Sequence, residues 1–314
     1  MKPNILVICG PTASGKTALA AALARRLDGE VVSADSMQVY RRMDIGTAKP
    51  TEEEMQGVPH HMIDVADPGE NYSVARYVQE AIPVVDGILA RGRVPVVAGG
   101  TGLYIDHLVA GRRFAPFVPD SGLRASLQER ARTAGLPALY AQLGQADPDA
   151  AARIHPNDEK RVIRALEVYL STGKTISQFD AESRAQPSRY TPLTIALNFQ
   201  ERPWLWERID ARVDRMVARG LEEEVRALLA SGVPLDCTAM QAIGYKEAAA
   251  AMRAGQPADL WAQEVKLRSR QYAKRQLTWF RRGRDVHWYN WEKIPNFSAA
   301  LDFSTGLALS SGLQ

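Results

Sequence analysis

An eight-residue segment near the N-terminus has the residue types and spacing of a phosphate-binding loop. Its sequence is Gly10-Pro11-Thr12-Ala13-Ser14-Gly15-Lys16-Thr17, which fits the pattern G-x-x-x-x-G-K-[ST]. In such a loop, glycines let backbone N–H groups converge on an anion, and the lysine adds a mobile positive charge. The hydroxyl of Thr17 is placed to ligate Mg2+. The segment therefore predicts a site for a phosphorylated ligand and magnesium.

The residues around the loop predict the strand and helix that such a site needs. Asn4 to Cys9 is a continuous apolar run, typical of a strand buried on both faces of a parallel sheet. Ala18 to Leu27 is rich in alanine and leucine and predicts a helix, whose N-terminal dipole favours an anion. The order of strand, loop and helix separates a true phosphate site from a chance match.

Two further segments supply candidate site residues at predicted strand ends. Asp35 follows the apolar pair Val31-Val32, so it lies where open α/β sheets gather their ligands. Its carboxylate would hold Mg2+ through water, act as a general base, or only cap a following helix. The strand Val94 to Ala98 runs into Gly99-Gly100-Thr101-Gly102, which allows either backbone approach to a ligand or a simple turn.

The same segments argue against an ATPase. No apolar strand ends clearly in a magnesium-binding aspartate, and only His61-Met62-Ile63-Asp64 offers an acid. His60 and His61 are adjacent, so in an extended segment they point to opposite sides, and we expect no metal site there. The phosphate loop alone does not decide between nucleotide hydrolysis, phosphorylation of an acceptor and displacement of diphosphate.

The middle of the chain predicts a separate helical region. The pattern predicts helices over Gly122 to Ala134, Pro137 to Leu143 and Asp158 to Ser171. The last of them ends at Gly173 as a C-cap. Residues 193–199 return to a strand pattern. We therefore predict an α/β fold with a parallel-sheet core like that of P-loop NTPases, flanked by helices, over residues 1–112 and 191–314. Residues 113–190 form a helical insertion.

Charge is clustered in the C-terminal part of the core. The chain has 39 Lys+Arg against 36 Asp+Glu, but residues 265–284 hold eight Lys/Arg and no acid, interleaved with aromatic residues. Two stripes are predicted on this helix: Lys266, Arg270 and Lys274 on one side, and Arg268, Arg275 and Arg282 roughly opposite. This pattern favours RNA over a membrane surface, with a solvated helix as the alternative.

An earlier helix, Trp204 to Gly220, presents another cationic stripe. It contains Arg208, Arg212, Arg215 and Arg219, with Asp210 and Asp214 available to pair with some of them. Surface ion pairs and an anion-binding role are both open for this stripe.

Length and composition restrict the class of protein. The 314 residues, 46% hydrophobic, suffice for a sizeable core, and the two cysteines have neither disulfide-framework nor zinc-site spacing. No apolar run approaches the ~20 residues of a membrane span or resembles an export signal. We expect a cytoplasmic monomer.

Taken together, the motifs resemble the tRNA dimethylallyltransferases, also called isopentenyl-diphosphate:tRNA transferases. Besides the phosphate loop, the resemblance is carried by Asp35-Ser36-Met37-Gln38-Val39-Tyr40, Met43-Asp44-Ile45-Gly46-Thr47-Ala48-Lys49-Pro50, Pro59-His60-His61, Gly99-Gly100-Thr101-Gly102-Leu103-Tyr104, Arg153-Ile154-His155-Pro156-Asn157-Asp158, Ala242-Ile243-Gly244-Tyr245 and Lys274-Arg275-Gln276-Leu277-Thr278-Trp279. The resemblance implies transfer of a dimethylallyl group from dimethylallyl diphosphate to N6 of adenosine 37, beside the anticodon of tRNA.

The resemblance also implies roles for individual residues. Asp35 matches the general base, Thr101 helps to position the reacting groups, and Arg212 joins residues Gly10 to Thr17 in holding diphosphate, with Mg2+ on Thr17. Contacts with the tRNA anticodon stem-loop are implied for Asp35, Ser36, Met37, Gln38, Thr101, Arg124, Lys160, Arg161, Val162, Ile163, Arg164, Gln241, Ala242, Ile243, Gly244, Tyr245 and Lys246.

Three other functions remain compatible with some of these features. A kinase for a nucleoside or small molecule would use the same loop, with Asp35 as the base for an acceptor hydroxyl. An adenylate isopentenyltransferase would prenylate a free nucleotide, which leaves the insertion without a purpose. A non-enzymatic RNA-binding protein leaves the phosphate loop unexplained.

Overall fold

The computed structural model describes residues 4–112, 121–283 and 285–313. Residues 113–120, with which the predicted insertion begins, and Arg284, which ends the predicted basic segment, lie outside the described residues. The chain divides into two compact units. Unit 1 comprises Met1–Gly111 and Arg189–Gln314, and unit 2 comprises Arg112–Ser188.

The sheet of unit 1 has six strands among the described residues, and every pair of neighbours is parallel. The strands are β1 Asn4–Cys9, β2 Gly29–Ser33, β3 His60–His61, β4 Val94–Gly99, β5 Thr191–Phe199 and β6 Val286–Trp291. Their order across the sheet is β3-β2-β4-β1-β5-β6. The predicted parallel-sheet core is confirmed.

Helices cover both faces of this sheet. In chain order the helices are α1 Lys16–Arg26, α2 Glu52–Met55, α3 Val74–Ala90, α4 Gly102–Ala110, α5 Ser121–Thr133, α6 Leu136–Ala146, α7 Pro148–Arg153, α8 Glu159–Thr172, α9 Ile176–Ala185, α10 Arg202–Ala218, α11 Leu221–Ala230, α12 Tyr245–Ala254, α13 Ala258–Phe280 and α14 Phe297–Ser310. No helix in the described ranges has the length and apolar character needed to cross a membrane.

Strand β1 shows why its sequence is apolar throughout. Ile5, Val7 and Cys9 pack into one hydrophobic cluster, whereas Leu6 and Ile8 pack into the cluster on the other face. Because successive side chains of a strand alternate between faces, a strand covered on both sides needs an apolar residue at every position.

The order of the strands brings the predicted site segments together. Strands β2, β4 and β1 are neighbours and run in the same direction. Their carboxyl ends therefore lie at one edge of the sheet, where they place the phosphate loop, Asp35 and the turn at Gly99 to Thr101 side by side.

The adjacent histidines have structural partners near the start of β2. The Nε2 atom of His61 lies 2.7 Å from the carboxylate of Glu30, and Nδ1 of His60 lies 2.9 Å from the Val58 carbonyl oxygen. Arg91 and Arg93 also donate to Glu30. Burial alone would raise the pKa of Glu30, but the hydrogen bonds from Arg91, His61 and Arg93 lower it to about 2.

Unit 2 consists of helices α5 to α9 and has its own apolar core, which includes Leu127, Leu139, Leu143 and Leu166. Helix α8 begins after Asp158, whose side chain accepts a hydrogen bond from the Arg161 N–H. It ends at Gly173, whose positive φ of 71° closes the helix.

Candidate active site

The phosphate loop turns sharply between β1 and α1. Gly10 has a φ of 139°, and a Cβ atom there would lie 2.4 Å from the Leu197 carbonyl oxygen, so only glycine fits. Ala13 and Gly15 also have positive φ, at 62° and 87°. From β6, the indole N–H of Trp291 donates to the Ser14 carbonyl at 2.8 Å and supports the loop from behind. Contacts with β5 and β6 thus fix the conformation of the loop.

The ammonium group of Lys16 lies inside the loop. Its Nζ donates to the Pro11 carbonyl oxygen at 2.6 Å. Burial and the positive charge of Arg212 lower the pKa of Lys16 to about 8, and the negative charge of Asp35 opposes this shift. A bound anion would stabilise the charged form of Lys16 and so raise its pKa again.

Helix α10 brings two arginines to the same region. Nη2 of Arg212 donates to the Thr47 carbonyl at 3.3 Å, and Nε of Arg208 donates to the Ala13 carbonyl at 3.2 Å. Burial is the main cause that lowers the pKa of each guanidinium. The α10 stripe is therefore turned in part toward the phosphate loop and not wholly toward solvent.

The acids of α10 have different partners from those expected. Asp210 binds Arg270 through two hydrogen bonds, and Asp214 lies 2.6 Å from Nζ of Lys266. The two acids bind these cations because α10 packs against α13. Lys266 and Arg270, two members of one predicted anion-binding stripe, are therefore neutralised within unit 1.

Asp35 lies in a turn after β2. Its Oδ1 accepts hydrogen bonds from the backbone N–H groups of Met37 at 2.9 Å and Gln38 at 3.4 Å. The residues that follow form turns, so the helix that this carboxylate was expected to cap does not form there. The hydroxyl oxygen of Thr101 accepts from the Ser36 N–H at 3.1 Å, which joins the Asp35 turn to the end of β4.

A pocket of about 350 Å³ opens between these segments. The predicted site residues that line it are Thr12, Lys16, Thr17, Asp35, Ser36, Met37, Gln38, Arg212, Gln241, Ala242 and Ile243. Ile209, Val213, Met216 and Val265 add apolar surface to the lining. The pocket therefore combines cationic groups and loop N–H groups with a carboxylate and an apolar wall, which suits a ligand with a phosphate group and a short hydrocarbon.

Helix α13 contributes residues for which no role in the pocket was predicted. Gln276 is 5% exposed; its Oε1 accepts from the Thr12 N–H at 2.8 Å, and its Nε2 donates to the Gly100 carbonyl at 3.0 Å. It thereby ties the phosphate loop to the turn after β4. Two signals in the sequence pointed to this residue: its register with the buried Ala273 and Phe280, and its place in the segment Lys274 to Trp279 that carries the resemblance.

Tyr272 and Arg275 of α13 also line the pocket. Burial and the negative charge of Asp35 raise the pKa of Tyr272 to about 12, and an interaction with Thr101 opposes this shift. Tyr272 therefore keeps its proton at neutral pH and is available as a hydrogen-bond donor.

The segment from Gln241 to Lys246 is only partly accessible. Gln241 and Lys246 are exposed, whereas Ala242, Gly244 and Tyr245 are buried. The Tyr245 hydroxyl donates to Glu224 at 2.5 Å. The Tyr245 side chain is enclosed within unit 1, so the predicted contact of this residue with tRNA stays a prediction for its backbone.

The predicted RNA contacts of unit 2 surround a buried acid. Glu167 is 0% exposed, and its Oε2 accepts from Arg124 at 2.7 Å and from Arg164 at 3.2 Å. Arg161 forms an exposed ion pair with Asp158, and Lys160 is exposed.

Two neighbours on the same helix are not accessible. Val162 and Ile163 are 0% and 5% exposed and belong to the apolar core of unit 2. The helix turns this face inward, so the predicted contact of these two residues with tRNA stays a prediction for their backbone.

The donor set suits magnesium. Thr17 and Asp35 line the same pocket, and both offer oxygen atoms. Among the residues that the structure describes, no three His, Cys, Asp or Glu side chains cluster as a metal cage. Magnesium needs no such cage, since it is usually held by one or two carboxylates with phosphate oxygens and water.

A phosphate loop after β1, a carboxylate after β2 and an arginine from α10 define a P-loop enzyme that acts on a phosphorylated substrate. Sequence comparisons specify the family. The pattern of the IPP transferase family matches residues 38–283, and that of isopentenyl transferases matches residues 3–67. The chain therefore belongs to the IPP transferase family.

Individual relatives agree with this assignment. The chain is 47% identical over 287 residues to the tRNA dimethylallyltransferase of Acetivibrio thermocellus. This match covers 91% of each chain. It is 42% identical to the tRNA isopentenylpyrophosphate transferase of Bacillus halodurans, whose crystal structure superimposes with a TM-score of 0.72 over 100% of this chain and 99% of that one. A eukaryotic dimethylallyltransferase acting on tRNA superimposes with a TM-score of 0.82 at 30% identity, covering 98% of this chain and 79% of that one.

Proposed function

We infer that this protein transfers a dimethylallyl group from dimethylallyl diphosphate to N6 of adenosine 37 in tRNA and releases diphosphate. One observation carries the inference for this chain: a carboxylate, the phosphate loop and an apolar wall line a single pocket. Ile209, Val213, Met216 and Val265 form the apolar wall. Its presence next to Lys16 and Arg212 suits a diphosphate that is esterified to a short hydrocarbon.

The residues of the loop act on the leaving group. As the bond between the allylic carbon and the diphosphate oxygen breaks, negative charge accumulates on the diphosphate. The loop N–H groups, Lys16 and Arg212 stabilise that charge. Thr17 would hold Mg2+, which neutralises part of the diphosphate charge when it is bound.

Asp35 acts on the nucleophile. The lone pair of adenine N6 is delocalised into the ring, so attack is easier when a base removes the N6 proton as the new C–N bond forms. The Asp35 carboxylate accepts that proton and later gives it to solvent. Thr101 positions this carboxylate because it accepts the Ser36 N–H beside it.

The tRNA supplies an adenosine that is already unpaired. Extrusion of an anticodon-loop base costs a few kcal/mol or less, which makes it an accessible target for a pocket at the end of a sheet. We propose that the exposed or half-buried polar members of the predicted set bind the anticodon stem-loop, namely Lys160, Arg161, Arg164, Arg124, Gln241 and Lys246. Ser36, Met37 and Gln38, with the segment Ala242 to Gly244, would surround the target base.

The test is to incubate purified protein with Mg2+, dimethylallyl diphosphate and unmodified tRNA, and to look for N6-prenylated adenosine by mass spectrometry of the digested RNA. In one parallel reaction AMP replaces tRNA, and in another ATP replaces dimethylallyl diphosphate. Prenylated AMP without prenylated tRNA would reassign the protein to the nucleotide-level enzymes. ATP turnover without prenyl transfer would favour the kinase.

Binding of tRNA should weaken steeply as the salt concentration rises, because cationic side chains release counterions from the phosphate backbone. Lys246→Gln should lower the slope of log affinity against log salt by about 1, since Lys246 is exposed on the predicted RNA surface. Lys266→Gln is the matched control, because its ammonium already pairs with Asp214. Fluorescence anisotropy with labelled tRNA at several salt concentrations measures both slopes. A flat response, or equal slopes for the two variants, would refute this surface.

A further inference from the structure

Glu224 of α11 holds three consecutive backbone N–H groups of a distant loop. Its Oε2 accepts from Asp44 at 2.9 Å and from Ile45 at 2.8 Å, and its Oε1 accepts from Gly46 at 3.1 Å. The Tyr245 hydroxyl donates to the same Oε1. All four donors thus converge on one carboxylate that is not itself in the pocket lining.

The loop that Glu224 holds is residues 43–49, here called the Gly46 loop. Inside it, the Thr47 hydroxyl donates to the Met43 carbonyl at 2.6 Å, and the Ala48 N–H donates to the Ile45 carbonyl at 3.0 Å. The N–H groups of residues 44–46 instead form a concave set of donors that a carboxylate can satisfy. Glu224 therefore completes the hydrogen bonding of this loop.

The Gly46 loop forms part of the pocket wall. Gly46, Thr47 and Ala48 line the pocket, and the Thr47 carbonyl accepts from Arg212 at 3.3 Å. Gln38 donates to the same carbonyl at 3.4 Å. The position of this one carbonyl oxygen thus determines where the Arg212 guanidinium points.

Close packing makes the loop and its anchor one unit. A Cβ atom at Gly46 would lie 2.3 Å from the ring of Tyr245, so the loop backbone rests directly on that ring. The buried ring supports the loop from below, while its hydroxyl fixes Glu224. Lys49, which is 8% exposed, closes the other end of the loop through Asp44 and Asp64.

We propose that Glu224, supported by Tyr245, is a positioning residue that acts on diphosphate through the Gly46 loop and Arg212. Asp35 attracts Arg212, Lys16 and Arg215 repel it, and the Thr47 carbonyl is the acceptor that fixes the direction of its guanidinium. The Thr47 carbonyl is that acceptor only while Glu224 holds the three N–H groups beside it. This proposal rests on the proposed function for its effect on turnover, but its effect on anion binding does not.

The first measurement compares Glu224→Gln with Glu223→Gln, a matched change on the exposed side of the same helix. Glutamine keeps one oxygen but presents an NH2 group to N–H donors, so the loop loses part of its anchor. We expect affinity for Mg2+-pyrophosphate, measured by calorimetry, to fall ~10-fold in Glu224→Gln. Prenyl transfer should show a similar fall in kcat/KM for dimethylallyl diphosphate, with the KM for tRNA unchanged. Glu223→Gln should match the wild type.

A double-mutant cycle with Arg212→Gln tests the route of action. If Glu224 acts through Arg212, adding Glu224→Gln to Arg212→Gln should weaken pyrophosphate binding by less than about twofold more. A further ~10-fold loss in the double variant would overturn the proposal, as would a Glu224→Gln variant that binds like the wild type. Pyrophosphate binding that follows the cycle in a protein without prenyl transfer would overturn only the proposed function.

Should circular dichroism show that Glu224→Gln is unfolded, Tyr245→Phe replaces it in the same cycle. This change removes only the hydroxyl that donates to Glu224 and leaves the ring under Gly46. We expect a ~3-fold loss of pyrophosphate affinity that disappears in the Arg212→Gln background. An undiminished loss in that background, or no loss in either, would overturn the proposal.

Discussion

Asp35→Asn should lower kcat for prenyl transfer by ~10²-fold or more while tRNA affinity changes by less than about twofold. The asparagine carbonyl oxygen can still accept the Met37 N–H at the position of Oδ1, so the turn is retained. What is lost is the ability to accept the N6 proton. The effect should therefore fall on the chemical step and not on binding.

Single-turnover kinetics with saturating enzyme separate that step from product release, and anisotropy with labelled tRNA measures binding. Asp35→Ala serves as a second variant, since it removes both the base and the acceptor for the turn. A wild-type rate in Asp35→Asn would remove Asp35 from the mechanism. A loss in Asp35→Ala alone would assign the residue to the turn.

The second large effect is expected at Lys16. Lys16→Met should reduce kcat/KM for dimethylallyl diphosphate by ~10²-fold or more, since a charge directed at the leaving group is removed. The KM for tRNA should not change. Equal activity of Lys16→Met and the wild type would mean that the loop binds its anion through backbone N–H groups alone.

The pKa of about 8 gives Lys16 a distinct pH signature. Below pH 8 the free enzyme has a charged lysine that is ready for an anion; above pH 8 the lysine is neutral and must take up a proton when the anion binds. Affinity for dimethylallyl diphosphate should therefore decline as the pH rises through 8. Lys16→Arg stays charged and should lack this component.

Calorimetry at pH 8.5, in buffers of different ionisation enthalpy and without tRNA, measures the proton uptake. The diphosphate contributes its own protons equally to both proteins, so the difference between wild type and Lys16→Arg isolates the lysine. Identical uptake in the two proteins would show that Lys16 does not titrate on binding.

The sequence predicted features of the site that depend on local order. The phosphate loop, its strand and its helix are contiguous, and Asp35 follows directly after β2, so each was visible as a pattern of neighbouring residues. The parallel sheet followed from continuous apolar runs such as β1. Parallel strands then place their carboxyl ends at one edge without further information.

The sequence did not predict contacts between distant residues. Gln276 reaches Thr12 across 264 positions, and Glu224 reaches Asp44 across 180. Gln276 lies in a segment that carries the family resemblance, but neither its partner nor that of Glu224 is marked locally, because the packing of distant elements defines each contact. The same reason explains why Asp210 and Asp214 bind cations of α13. A helical stripe shows which residues share a face, but not what that face meets.

Unit 2 leaves and rejoins unit 1 at a single place. The Arg189 and Tyr190 N–H groups donate to the Ala110 and Val109 carbonyls, each at 3.2 Å, so the chain returns beside the point from which it departed. Hydrogen bonds within unit 1 thus join the end of α4 directly to the segment that leads into β5. We therefore expect that a change in the length of the inserted module leaves the strand register of unit 1 unchanged.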